Sequence, residues 1–227
     1  MKKNIQIITV VNNFDIFDAF IKKNAYMSRY HIYVFDNTVD NIGIPLRYNH
    51  FLENDLHEEG WLVFCHQDFS FLEDIHDRLE GLSKDFIYGP IGAVNRKGIF
   101  FKSWRPRFHR KVLLGQINQS DDAVHFYKNG RYLKRPVIVN TVDCCCLIVH
   151  SSLIKKHNLR FDKMFKFHLY SEDFSLNARY NCSVKTKAVQ IECKHSSRGN
   201  TSKEFYNALE NLKRKYPNKR FVGTCFH

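Results

Sequence analysis

Three short runs of apolar, largely β-branched residues constrain this chain more than any other feature. They are Ile5 to Val11 (IQIITVV), His31 to Phe35 (HIYVF) and Trp61 to Cys65 (WLVFC), and each stops abruptly at polar residues. Strands without polar alternation are buried on both faces, the situation of a mostly parallel sheet covered by helices. The stretches between them have helical spacing, with Phe17, Phe20, Ile21 and Ala25 in the first and Leu46 to about Leu56 in the second. The opening therefore reads β-α-β-α-β. Sheets of this kind bind ligands beyond the carboxyl ends of their strands, and those ends carry Asp36-Asn37-Thr38 and His66-Gln67-Asp68.

Further along, Glu73 to Leu82 reads as a helix and Phe86 to Val94 as a fourth strand. Residues 95–135 are basic and contain Asn129-Gly130 between alternating flanks, a hairpin signal. They are expected to form an insertion on the acceptor side. Val137 to Val149 returns to a buried strand, Ser151 to His157 to a short helix, and Glu172-Asp173 opens a helix through Tyr180. Val184 to Cys193 is expected to be the last strand, with His195 just beyond it. A final helix within 201–220 shows a capping-box pattern at Thr201 and Glu204, an apolar face of Phe205, Leu209, Leu212 and Tyr216, and a basic face of Lys213, Arg214, Lys215, Lys219 and Arg220. At 227 residues, 1–227 reads as a single α/β domain.

The formal charge of +12 implies an anionic partner or surroundings. The basic, aromatic-bearing run Lys102 to Lys111 raises nucleic-acid binding as an alternative, but no nucleic-acid motif accompanies it and no nucleic-acid partner is expected. The seven cysteines, three of them contiguous at Cys144 to Cys146, have neither an even count nor a CxxC pair, so reduced thiols are expected. Neither a signal peptide nor an apolar run long enough to span a bilayer is visible. The expected location is the cytoplasm, with the two basic regions offering peripheral contact to an anionic inner membrane face.

An aspartate such as Asp68, where a buried strand meets solvent, can hold a divalent cation that also neutralises a diphosphate. Glu172 and Asp173 offer a carboxylate able to take a proton from a hydroxyl, or merely to complement a helix dipole. His195 could be a ligand or a phosphate donor, and Arg198 could pair with a diphosphate.

Taken in order, Asp36-Asn37, Asn41-x-Gly43 with Arg47-Tyr48-Asn49, His66-Gln67-Asp68, Val142-Asp143-Cys144-Cys145-Cys146, Leu159-Arg160-Phe161-Asp162, Glu172-Asp173 and His195 resemble a family 2-type glycosyltransferase. The closest likeness is to the bacterial branch whose metal motif reads His-Gln-Asp, over roughly residues 5 to 200. The resemblance implies a Rossmann-like GT-A domain, a nucleotide-sugar donor (a UDP-sugar above all), a glycan or lipid-linked acceptor, and Mn²⁺ or Mg²⁺. It implies Asp36 at the nucleobase or ribose, with Asn37, Asn49, Gln67 and Asp143 on the donor side. It makes Asp68 the metal ligand, completed by His195 and His66, and Asp173 the catalytic base, with Glu172 second. The reaction implied is a single displacement with inversion. His66 stands where the family carries a carboxylate, which leaves open a catalytically silent GT-A-like domain that binds carbohydrate or a partner.

Overall fold

The computed structural model describes residues 5–97, 109–197 and 202–226, without the side chains of residues 96, 97, 109 and 110. The expected opening is present: strands β1 (Ile5–Val11), β2 (His31–Asp36) and β3 (Trp61–His66) are joined through short helices α1 (Phe14–Phe17) and α2 (Ile44–His50). Asn13 caps α1 by accepting from the amides of Asp15 and Ile16. β1 pairs in parallel with β2 on one side and β3 on the other. β2 is the sheet edge, so its apolar run is half exposed rather than fully buried.

After β3 come β4 (Phe69–Phe71), α3 (His76–Glu80), β5 (Phe86–Gly89), β6 (Gly92–Lys97), β7 (His109–Ser120) and β8 (Tyr127–Arg131). The chain continues through β9 (Val137–Val139), β10 (Thr141–Val142), β11 (Cys146–His150), α4 (Ser151–His157), α5 (Tyr170–Cys182), β12 (Lys185–Ala188), β13 (Cys193–Ser196) and α6 (Lys203–Lys215). The larger sheet has the order β2-β1-β3-β11-β5-β12-β9. It is mixed, with parallel pairing in the β2-β1-β3 half and between β5 and β12, and antiparallel pairing elsewhere. A second sheet, β10-β6-β7-β13-β4 with β8 against β7, lies beyond it.

Strand alternation divides the core into two layers. Leu62 and Phe64 of β3 join Tyr48, Phe161 and Phe174 on one face, while Trp61, Val63 and Cys65 join Phe17, Phe20, Phe69 and Phe71 on the other. Helices thus cover both faces of the central strands, the architecture expected of a GT-A α/β domain.

Long apolar runs that read as single strands are divided. Pro90 separates β5 from β6, Val137 to Val149 becomes β9, β10 and β11, and Val184 to Cys193 leaves the first sheet after Ala188 to enter the second as β13. His195 consequently lies within a strand rather than after one. Residues 95–135 do contain a hairpin, but its turn lies between Ser120 and Tyr127. Asp122 Oδ1 accepts there from the amides of Val124 and His125, both at 2.8 Å. Asn129-Gly130 sits inside β8, where Gly130 (φ 90°) pairs with Gln116 next to the bulge at Gly115 (φ 85°), so tightly that a Cβ on Gly130 would collide with the Gly115 carbonyl oxygen.

The C-terminal helix is capped by Ser202, whose hydroxyl accepts from the Phe205 amide; Thr201, the expected cap, lies outside the described residues. Phe205, Leu212 and Tyr216 are buried against the body. Lys215 does not join the basic outer face. Its Nζ lies 2.7 Å from Asp162 Oδ2 and 2.8 Å from Asp173 Oδ1, tying α6 to α5. Among the described residues no helix is long and apolar enough to cross a membrane.

Lys215→Met leaves Asp173, whose side chain is 1 % exposed, without its cation. The expected loss is about 2 kcal/mol, below the range for fully buried pairs because Lys215 is itself partly exposed. It should appear as a fall of about 5 °C in melting temperature.

Candidate active site

The site begins where β3 runs out of apolar sequence. After His66 the chain turns through Gln67 and Asp68 and doubles back at once as β4. β4 pairs antiparallel with β13, setting His195 opposite Phe69, and the Ser196 amide donates to the Asp68 carbonyl at 3.1 Å. His195 Nε2 consequently lies 3.4 Å from Asp68 Oδ1, with His66 Nδ1 at 3.9 Å from the same oxygen. One ligand atom from each of His66, Asp68 and His195 falls within 4.8 Å of the other two.

The hydrogen-bond network orients both imidazoles. Tyr170 donates its hydroxyl proton to the Cys144 carbonyl at 3.2 Å, so at 2.8 Å it accepts from His66 Nε2–H. That leaves the lone pair of His66 on Nδ1, toward Asp68. His195 Nδ1–H donates to Gln119 Oε1 at 3.3 Å, which leaves its Nε2 lone pair facing Asp68.

Asp68 Oδ1 and His195 Nε2 are both buried without a hydrogen-bond partner. Orphaned buried polar atoms are costly, and a cation lying between these two would satisfy both. The donor set of two imidazoles and one carboxylate fits a divalent transition ion better than a purely oxygen-seeking one. Burial lowers the pKa of His66 and keeps it neutral. Burial opposes the imidazolium of His195 as well, but the Asp68 carboxylate outweighs it and the pKa is raised. Burial would raise that of Asp68, yet the two histidines hold it below the usual carboxylate range.

This cluster separates two cavities. A cleft of about 170 Å³ is lined by Asn12, Asn37, Gln67 and Asp68, with Ile44 and Phe167. Gln67 shapes it by accepting from the amides of Asn12 and Asn13 and donating to Asn12 Oδ1 at 2.6 Å. The larger cavity, about 500 Å³, has His66 and His195 on one side, Asp143, Cys144 and Glu172 on another, and Tyr127 among its remaining lining. His66 and Phe167 line both.

Within the larger cavity two carboxyls differ. Asp143 accepts from the Cys145 amide at 2.9 Å and from the Thr224 hydroxyl. Burial works against its charge, but His195, Thr224 and Cys145 prevail and lower its pKa. Glu172 is buried, receives a hydrogen bond from the Cys144 thiol at 3.0 Å, and has its pKa pushed up to about 8 by burial and then by the charge of Asp143.

The structure thus brings His66, Asp68 and His195 together, with Asn37 and Gln67 lining the cleft and Asp143 and Glu172 lining the cavity. Asp36 stands exposed at the end of β2, its carboxylate occupied by the Thr38 amide and hydroxyl, and lines neither cavity. Asn49 lines neither cavity. It exchanges hydrogen bonds with the Phe161 backbone in both directions, at 2.8 and 2.9 Å, and so fastens α2 to the loop before α5. Asp173, the first choice as base, does not line the cavity; its carboxylate is bound by Lys215 and by the Tyr216 hydroxyl at 2.9 Å. Arg198 lies outside the described residues. Tyr170, Gln119 and Thr224 were not legible as site residues, since each acts only by touching a residue remote in sequence.

No protein-family model matches the sequence, and no curated protein matches it. The fold does have solved counterparts. It matches GalNAc-T7, crystallised with UDP, GalNAc and Mn²⁺, with a TM-score of 0.59 at 8 % identity, over 96 % of this chain and 48 % of that one. It matches Staphylococcus aureus TarS with a TM-score of 0.49 at 13 % identity, over 96 % and 40 % of the two chains, and the TarS fragment 1–349 with a TM-score of 0.49 at 12 % identity, over 96 % and 66 %. The fold resembles that of GT-A glycosyltransferase structures. The chain spans about half the length of the GalNAc-T7 structure. At 8 % identity the likeness is one of fold.

Mn²⁺ titrated into the protein and followed by electron paramagnetic resonance is expected to bind at one site that His195→Ala removes. Gln119→Leu, which frees His195 Nδ1, is expected to weaken the ion about tenfold or more. Equal affinity in wild type and His195→Ala would eliminate this cluster as a metal centre.

Proposed function

We propose that this chain is a glycosyltransferase that moves a sugar from a nucleoside-diphosphate-sugar to a hydroxyl of a glycan or lipid-linked acceptor. The observation that carries the reading is the His66, Asp68 and His195 cluster, with two ligand atoms buried and unsatisfied, set between a small polar cleft and a larger cavity walled by Glu172. UDP is the first nucleotide to test, because GalNAc-T7, which shares the fold, was crystallised with it.

In this reading the cleft takes the nucleoside between walls that Gln67 and Asn37 hold in place through their hydrogen bonds to Asn12, Asn13 and Ile42. Bound at the cluster, a divalent cation, Mn²⁺ in preference to Mg²⁺ on the donor set, would supply positive charge against the diphosphate leaving group. Tyr170 and Gln119 hold the two imidazoles so that no side-chain reorganisation is needed on binding. The sugar and the acceptor hydroxyl occupy the larger cavity.

Glu172 is then the general base: it lies on the cavity wall and its pKa of about 8 is near a working pH. Its carboxylate takes the proton of the acceptor hydroxyl as that oxygen attacks the anomeric carbon from the side opposite the diphosphate, which inverts the configuration. Asp143, ionised beside it, keeps the affinity of Glu172 for that proton high. Asp173 serves the fold through Lys215 and Tyr216.

Two variants separate this assignment from its neighbour. Glu172→Gln is expected to lower kcat by roughly 10²–10⁴-fold while metal-dependent UDP affinity stays within a few-fold of wild type. Asp173→Asn is expected to retain turnover per folded molecule. The opposite pattern, with Asp173→Asn inactive and Glu172→Gln active, would return the role to Asp173. If no nucleoside diphosphate raised the melting temperature in the presence of Mn²⁺, the transferase reading itself would fail.

The pH dependence follows from the raised pKa. A base works only when ionised, so kcat/KM of the metal-free-prepared, Mn²⁺-supplemented enzyme is expected to climb as pH rises toward about 8 and then level. Charge from a bound cation shifts this limb downward, never upward. An acid limb absent between pH 5 and 8 in wild type, or unchanged in a Glu172→Asp variant, would contradict the assignment.

A further inference from the structure

A third concavity, of about 430 Å³ and lined in part by the C-terminal segment, is not used by the transferase reading. Its lining carries four cationic side chains drawn from separate parts of the chain: Lys111 of β7, Lys213 of α6, and Lys219 and Arg220 of the segment that follows. No carboxylate lines it. Glu210, one turn before Lys213, offsets that charge at 2.9 Å. Beneath the cations lies an apolar floor in which Phe221 packs edge-on against Tyr216 and Phe226, ring centroids 6.1 Å apart in each case.

Cations repel one another around a small cavity, and long flexible side chains normally spread into solvent to reduce that cost. Here one is held in place: Lys111 Nζ donates to the Thr224 carbonyl at 3.1 Å. A cationic rim over an aromatic floor, anchored at Lys111, is complementary to a ligand with a phosphate at one end and a ring or short apolar body at the other. The concave shape favours a discrete group entering the cleft over a flat charged surface laid across it.

We infer that this cleft is a binding site for a phosphate ester, separate from the nucleotide cleft. The phosphate would sit among Lys111, Lys219 and Arg220, with the remainder of the ligand against Phe221 and Phe226. Val222 and Phe226 line this cleft while Thr224 and Cys225, between them, line the larger cavity. The two sites would thus share residues of one C-terminal segment.

The test is calorimetry on the whole chain with sn-glycerol 3-phosphate, with EDTA present so that the metal cluster cannot contribute. A parallel arm uses co-sedimentation with vesicles of phosphatidylcholine and phosphatidic acid in a 3:1 ratio. Lys219→Gln combined with Arg220→Gln, both exposed, is expected to weaken binding tenfold or more. His195→Ala is expected to leave it unchanged. Saturable binding of the soluble ester that the double variant weakens supports the site and identifies a free phosphate ester; vesicle binding with the same sensitivity supports it and identifies a lipid-borne one. Absence of binding in both arms, or binding indifferent to the double variant while its melting temperature matches wild type, would overturn the inference. Because neither arm involves nucleotide or turnover, its failure would leave the transferase reading standing.

Discussion

The site depends on where one residue sits in one strand. β13 runs between β4 and β7, with His195 opposite Phe69 on one side and Gln119 on the other. The first pairing, with the backbone bond from Ser196 to Asp68, sets the imidazole against the carboxylate. The second sets Gln119 against the ring's other nitrogen. Backbone register alone thus determines both what His195 Nε2 faces and which tautomer it adopts. A slip of one residue would turn the ring to the opposite face and dissolve the cluster. Sheet pairing of this kind is rigid, which is what a group of preorganised ligands requires.

Around that cluster, a strongly basic chain concentrates buried acid groups. Asp68, Asp143 and Glu172 lie about two histidines, and their environments drive their proton affinities apart. Asp68 and Asp143 stay ionised because histidines and hydrogen-bond donors stabilise their charge more than burial opposes it. Glu172 has one thiol as its side-chain donor and a negative neighbour, so burial wins and the proton stays on to about pH 8. Titratable groups whose surroundings separate their pKa values in this way mark acid–base roles. Of the three, Asp68 lies in the histidine cluster, while Asp143 and Glu172 face the larger cavity with opposite preferences for the proton.

The sheet-and-helix plan was legible because apolar runs and their polar ends are local patterns. WLVFC followed by His-Gln-Asp marked both a strand and the residues at its end, and His66, Asp68 and His195 were named from such positions. Asn129-Gly130 misled because a turn dipeptide and a residue beside a bulge can both demand positive φ, and only the partner strand, bulged at Gly115, distinguishes them. Asn49 read as a ligand group because an exposed amide and one satisfied by a remote backbone look alike in sequence. Gln119, Tyr170 and Thr224 left no signal, for their roles exist only through contacts made when distant strands meet.

The adjacent carboxyls of α5 show why sequence could propose the pair but not rank it. Successive helix residues point about 100° apart, so Glu172 and Asp173 cannot both face the same cavity. α5 is buried from Tyr170 to Leu176, so neither carboxyl escapes to water and each must be satisfied from a different neighbour. Asp173 meets α6 and acquires a lysine and a tyrosine hydroxyl, a complete set of partners that commits it to holding two helices together. Glu172 meets the cavity and acquires one weak donor. Burial raises the pKa of both, but Lys215 and the Tyr216 hydroxyl oppose the rise at Asp173, whereas the charge of Asp143 adds to it at Glu172. Position along the helix therefore turns one carboxyl toward α6 and the other toward the cavity.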